Sequence, residues 1–262
     1  MHFSVAVLGK DMVVGMSVAS YSITDIGRQR QMNQDYVFTS EVSIGELPNL
    51  FMVADGMGGY KAGEYASKST VETVVNEISF AEEKSPIKLL TKAIKKANTK
   101  VRQKSVSDEN YKGMGTTLVA CTFDGEVLTV ANVGDSRLYL YREGLSQISV
   151  DHSLVEEMVR MGELNRADAR THPDKNIITR AIGVVEQLDI DFFEVDDIKD
   201  GDVVLMCSDG LTNMIPDNEI EAILDKDASI KDKAHMLVDT ANANGGRDNI
   251  AVILIKLTFD EE

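Results

Sequence analysis

Cysteine is nearly absent. The 262-residue chain carries two, Cys121 and Cys207, both inside apolar runs. Such cysteines read as small core residues of a reducing compartment rather than as a disulfide or a metal pair. No stretch reaches the roughly 18 apolar residues of a membrane-spanning helix. The opening "MHFSVAVLGKDMVVGMSVA" is partly apolar, but Lys10 and Asp11 interrupt it and no basic segment precedes it. It is not read as a secretory signal; residues 1–15 are expected to be an N-terminal extension, with room for an extra strand. A cytoplasmic location is the expectation. Basic charge is also short: 27 Lys and Arg stand against 43 Asp and Glu, a formal net charge of −16. A surface this acidic disfavours nucleic acid and anionic membrane as partners and favours divalent cations. Neither an internal repeat nor a low-complexity linker divides the chain, so residues 1–262 read as one domain.

What is present is an ordinary globular composition, 43% hydrophobic and 27% charged, in a chain long enough to bury a substantial core. Apolar patterning predicts strands at 16–23, 49–54, 116–123, 127–133, 137–142, 188–195, 202–207 and 249–257. Helical spacing predicts helices at 62–80, from Pro86 onward, at 153–162, 217–224 and 229–242. "FDGE" predicts a tight hairpin centred on Asp124 and Gly125, and "REGL" a second turn. Residues 151–180 change character and look like an insertion or lid over a scaffold. Strands come in clusters with paired helices between them, which favours sheets flanked by helices over alternating βαβ units.

Several apolar strands end or begin at a bare carboxylate. Asp55 in "VADGMGG", Asp135 in "VGDSR" and Asp209 in "CSDGL" follow strands; Asp248 in "GGRDN" and Asp35 in "NQDYVF" precede apolar stretches. One Asp-Gly at a strand end is ordinarily a turn. Five acids brought to one rim would repel and could not all stay ionised. A divalent cation removes that conflict. Oxygen ligands without His or Cys point to Mg²⁺ or Mn²⁺. Two such ions activate water at neutral pH and clamp a phosphoryl oxygen.

In order, "RQMNQD", "VADGMGG", "GMGTTLVA", "VGDSRLYLYREG", "THPDKNIITRAIG", "CSDGL" and "GGRDNIAVI" resemble the bacterial type-2C serine/threonine protein phosphatases, the metal-dependent PPM family, from about residue 21 to 257. The resemblance implies an α+β fold: a four-layer α-β-β-α sandwich, two antiparallel sheets flanked by helices, with a dinuclear Mn²⁺ or Mg²⁺ centre at one end. It implies that Asp55 bridges two cations, that the Gly56 carbonyl ligates the second, and that Asp209 and Asp248 complete the first. Asp135, with Asp209, matches a weaker third site. Asp35 matches the acid that holds metal-bound water, and Arg30, with Arg28 nearby as the alternative, the arginine that grips substrate phosphate, a role suited to a planar bidentate cation. Residues 151–180 match the family's flap. Metal-bound hydroxide then attacks phosphoserine or phosphothreonine directly. Partners implied are phosphorylated proteins, including a Ser/Thr kinase and its substrates, met by a monomer.

The chain departs from the family at two places. Gln34 stands where Glu is usual; an amide accepts a hydrogen bond from water but carries no charge, so the second cation is expected to bind more weakly. Met57, common in bacterial relatives, stands where eukaryotic relatives carry His, and Met donates no proton. His152 and His172 are the remaining candidates for a general acid, with a structural or surface role the stronger expectation for each. Gly58 and Gly59 are expected to let the chain pass close to the site, and "GMGTT" to position a strand beneath it. "GMGTT" is not a phosphate loop, because no Lys follows its glycines. A catalytically silent binding module is one rival. A nuclease is another, disfavoured by the acidic charge.

Overall fold

The computed structural model describes residues 15–59 and 61–259; the strand anticipated within residues 1–14 lies outside them. Strands β1 (Met16–Asp25), β2 (Asp35–Ser40) and β3 (Leu50–Met57) lead into helices α1 (Ala62–Ser79) and α2 (Pro86–Ser107). Five strands follow: β4 (Gly115–Thr116), β5 (Leu118–Asp124), β6 (Val127–Val133), β7 (Arg137–Tyr141) and β8 (Leu145–Gln147). Helices α3 (Leu154–Met161) and α4 (Arg166–Ala169) precede β9 (Asp191–Val195) and β10 (Val203–Cys207). The chain closes with α5 (Asp209–Thr212), α6 (Asp217–Leu224), α7 (Ile230–Ala243) and β11 (Ile250–Phe259).

The strands form two antiparallel sheets, ordered β1-β11-β10-β7-β8 and β2-β3-β5-β6-β9, with β4 paired to β3. Strand periodicity sorts their side chains into separate apolar layers. On β3, Phe51 and Val53 point between the sheets, where they meet Val204, Met206, Ile253 and Ile255 of β10 and β11. Leu50, Met52 and Ala54 point the other way, onto Val74 and Ile78 of α1 and Leu90 and Ile94 of α2. On the opposite sheet, Leu205, Cys207, Val252 and Leu254 face Leu211 of α5, Ile220 of α6 and Leu237 of α7. Three apolar layers between four structural layers give the anticipated α-β-β-α order. Burial on both faces makes residues 50–54 of β3, 118–121 of β5, 203–207 of β10 and 250–255 of β11 unbroken apolar runs. Each large side chain so buried contributes roughly 1.5–3 kcal/mol. Both cysteines are buried as free thiols, Cys121 between the sheets and Cys207 under the helices.

Local chemistry places the helix ends. Pro86 begins α2 behind Ser85. Ser153 caps α3 by accepting from Glu156 N, and Gly162 ends it in the left-handed conformation at φ 76°. Several boundaries differ from those the sequence predicts. The strand expected to end at residue 54 continues to Met57, because Asp55 pairs with Asp35 and Gly56 with Thr116. Asp55 therefore sits inside a strand, not beyond its tip. Asp209 is the first residue of α5, separated from β10 by Ser208. The run expected at 116–123 breaks at Thr117, and β9 starts at Asp191 instead of residue 188. The β5–β6 hairpin turns on Gly125 and Glu126, one residue later than expected, since Asp124 still pairs with Val127.

Candidate metal centre

The starts of β2 and β11 and the ends of β3, β6 and β10 meet at one rim of the sandwich. Asp35 opens β2 directly opposite Asp55 on β3. Ser208 Oγ, at the end of β10, donates to Asp35 Oδ2 at 2.6 Å and accepts from Ala251 N of β11 at 2.9 Å. That hydroxyl ties the two sheets together beside the acids. The backbone of Asp55 is held by "GMGTT": Asp55 N donates to Thr117 Oγ1 at 3.0 Å, and Thr116 Oγ1 donates to Asp55 O at 2.8 Å. The segment thus positions the strand, as expected. Asp135 follows Gly134, which turns the chain at φ 109°.

Two close backbone crossings shape the rim. A Cβ on Gly56 would lie 2.1 Å from Gly63 O, and one on Gly63 would lie 2.5 Å from Gln34 Nε2, so α1 starts against β3 only because both residues lack side chains. A Cβ on Gly210 would lie 1.9 Å from Asn249 O, which seats α5 on β11. Gly59, by contrast, has open space where a Cβ would stand, so close passage is required at Gly58 and not at Gly59. Asn249 braces the loop that carries Arg30: its Nδ2 donates to Ile26 O and Met32 O, and its Oδ1 accepts from Gln34 N.

The acids strain one another electrostatically. Burial, followed by the charges of Asp35, Asp209, Asp135 and Asp248, holds the Asp55 carboxyl well above the usual range. Burial pushes Asp35 up to about 8, with Asp209 and Asp248 adding to it and the Ser208 bond opposing. Asp209 is pushed up to about 6, by burial and then by Asp248. Asp135 is raised by burial and then by Asp209 and Asp151. Without a counter-charge these groups cannot all ionise at neutral pH.

Oδ1 of Asp35, of Asp135 and of Asp209 is buried and meets no donor. Among the described residues, no three His, Cys, Asp or Glu side chains are gathered into a ready-made cage. A closed cage is not required: Mg²⁺ keeps several waters and takes only one or two carboxylates. Orphaned oxygens, mutually repelling acids and an oxygen-only donor set fit hard divalent cations.

Arg30 reaches this rim from the β1–β2 loop and forms a 2.6 Å ion pair with Asp248 Oδ2, both side chains partly exposed. Residues 151–180 stand over the same end. A cleft of about 340 Å³ opens beside Asp135 and Asp209, with Arg170 and Lys175 among the residues of its wall.

The sequence signature described as Protein phosphatase 2C matches residues 21–250. The chain belongs to the protein phosphatase 2C family. It is a metal-dependent phosphoprotein phosphatase, a hydrolase. It is 40% identical to the serine/threonine phosphatase stp of Listeria monocytogenes over 242 residues, 89% of this chain and 93% of that one. Its fold superimposes on the serine/threonine phosphatase of S. agalactiae with a TM-score of 0.84 at 35% identity, covering 91% of this chain and 99% of that one. It also resembles the catalytic domain of the serine/threonine protein phosphatase PstP in complex with two manganese ions, with a TM-score of 0.82 at 28% identity over 93% of this chain and 100% of that one.

In this phosphatase His152 is a brace. Its Nδ1 accepts from Gly134 N at 2.9 Å, so the neutral ring carries its proton on Nε2, 3.1 Å from Asp191 Oδ2. Burial lowers its pKa, which keeps Nδ1 free to accept. His172 Nδ1 accepts from Asp174 N at 3.2 Å within its own loop. Sequence reasoning did not single out Thr117, Ser208, Asn213 or Asn249. The available signal was adjacency: each lies within four residues of a rim acid or follows a motif glycine in "GMGTT", "CSDGLTN" and "RDN".

Proposed function

We propose that the phosphatase hydrolyses phosphoserine and phosphothreonine on proteins at the rim formed by Asp35, Asp55, Asp209 and Asp248. The observation that carries this is the gathering of mutually repelling carboxylates with buried oxygens that meet no donor. Asp55, the Gly56 carbonyl, Asp209 and Asp248 would hold the divalent cations, Gly56 toward one and Asp209 and Asp248 toward the other, and Asp135 with Asp209 would supply a weaker third site. The bound cations supply positive charge that activates water and steadies the phosphoryl oxygens. Asp35, its Oδ2 held by Ser208, uses Oδ1 to orient the attacking water. Arg30 leaves Asp248 and binds the substrate phosphate, an exchange between two anions that its half-exposed position allows. Met57, at the end of β3, donates no proton, so esters with good leaving groups are the least demanding substrates.

Residues 151–180 act as a flap on substrate access within a single catalytic domain. Among the described residues no helix is long and apolar enough to cross a membrane. The protein works as a cytoplasmic monomer, opposing a Ser/Thr kinase on shared substrates. The test is hydrolysis of an aryl phosphate and a phosphothreonine peptide with Mn²⁺. Activity lost on chelation and in Asp209→Ala supports the assignment; silence under every metal condition overturns it in favour of a binding module.

A further inference from the structure

The flank of Asp209 carries a hydrogen-bonded chain that reaches out of the rim. Asn213 Nδ2 donates to Asp209 Oδ2 at 2.9 Å. Lys175 Nζ, from the 151–180 segment, donates to Asn213 Oδ1 at 3.0 Å. The polarity of this chain is fixed. An ammonium only donates and an ionised carboxylate only accepts, so the amide must turn its oxygen to Lys175 and its nitrogen to Asp209. Arg170, from the same segment, grips the same turn, donating to Thr212 O at 2.5 Å and to Asn213 O at 3.3 Å. Among the described residues neither Arg170 nor Lys175 forms an ion pair with a carboxylate. Two partly buried cations are thus spent on neutral acceptors at one turn of chain, next to an acid whose other oxygen, Oδ1, is buried and meets no donor.

We propose that Asn213 is a positioning residue for Asp209, and that Lys175 and Arg170 couple the placement of the 151–180 segment to cation binding at the rim. Holding Oδ2 fixes the carboxylate's rotation and leaves Oδ1 directed at the cation site. The coupling is reciprocal. A cation that locks Asp209 also locks Asn213, and Asn213 then presents a fixed oxygen to Lys175. When the segment lifts away, Asn213 loses the donor that sets its orientation, and Asp209 loses its alignment. The inference rests on Asp209 being a cation ligand.

The experiment is calorimetric titration of Mn²⁺ into the metal-free full-length protein, paired with hydrogen exchange across residues 166–175 with and without Mn²⁺. Removing an outer partner of a metal ligand weakens affinity roughly 10–100-fold. Asn213→Ala is expected within that range, and Lys175→Met at its lower end, with Lys175→Arg, which keeps a donor, restoring wild-type affinity. In the wild type Mn²⁺ is expected to slow exchange at 166–175; in Asn213→Ala and Lys175→Met that response is expected to vanish. The metal-free unfolding midpoint of each variant, matching the wild type, separates positioning from damage to the fold. Wild-type Mn²⁺ affinity in Asn213→Ala and Lys175→Met, or exchange at 166–175 that ignores Mn²⁺, overturns the coupling alone. Wild-type Mn²⁺ affinity in Asp209→Ala overturns the coupling together with the ligand assignment beneath it.

Discussion

Strand β3 passes through two opposite environments in eight residues. Its first half is buried on both faces, and between the sheets Phe51 meets Phe123 edge to face with ring centroids 6.1 Å apart. Its second half delivers Asp55 and Gly56 to a rim where five carboxylates crowd one another. The backbone is regular through both: Val53 pairs with Val37 and Asp55 with Asp35 in one continuous ladder. What differs is the sign of the energy. Burial of Phe51 stabilises the fold, whereas confinement of Asp55 beside four like charges destabilises the protein until cations arrive. The rigid half is what allows the strained half to exist, since a carboxylate free to swing would move out to solvent.

The sharpest way to separate the halves is to substitute one residue in each. Phe51→Ala is expected to cost roughly 3–5 kcal/mol of stability in chemical denaturation, the cost of an aromatic cavity in a packed core. Asp55→Asn is expected to abolish hydrolysis, by more than the roughly 10–100-fold that loss of an outer partner of a metal ligand costs. It should also leave the metal-free protein at least as stable as the wild type. If Asp55→Asn instead unfolds the protein as Phe51→Ala does, the contrast between the halves is lost.

A pH series gives a gentler version of the same contrast. Asp35, Asp55, Asp135 and Asp209 all have folded-state pKa values raised above those of the unfolded chain, to about 8 for Asp35 and about 6 for Asp209. The folded protein therefore binds more protons than the unfolded chain between about pH 4 and pH 8, and stability from these groups falls as pH rises across that window. In chelator, the stability of Asp55→Asn relative to the wild type should increase from pH 4 to pH 8. A difference independent of pH would contradict the crowding of the rim. Smallest of the expected effects is Gln34→Glu, which adds a charge beside Gly58 and Gly63 and should lower the Mn²⁺ concentration for half-maximal activity several-fold. An unchanged or higher requirement would mean that the amide does not weaken the second cation.

The same contrast explains what the sequence made legible. The interior was readable because burial on two faces leaves continuous apolar runs, as at 127–133, where predicted and observed strand coincide. The acids were readable as a set because each interrupts such a run. The edges were less so. β2 was not predicted although it carries Asp35, because as an edge strand it is only half-buried and its pattern is mixed. α5 is four residues long, too short for any periodicity, yet it fixes Asp209. Adjacency to a rim acid marks Ser208, Asn213 and Asn249 without revealing their roles, which depend on partners 38 to 223 residues away. Tight packing at Gly63 was likewise invisible, because its need for glycine comes from Gly56 and Gln34 on other elements.

The central claim is that the crowded rim is a cation site centred on Asp55. Diffraction from crystals soaked in Mn²⁺, recorded for anomalous scattering from manganese, tests it most directly. Two manganese peaks are predicted beside Asp55, one of them also contacted by Asp209 and Asp248. Manganese bound elsewhere on this acidic surface, with the Asp55 rim empty, would contradict it.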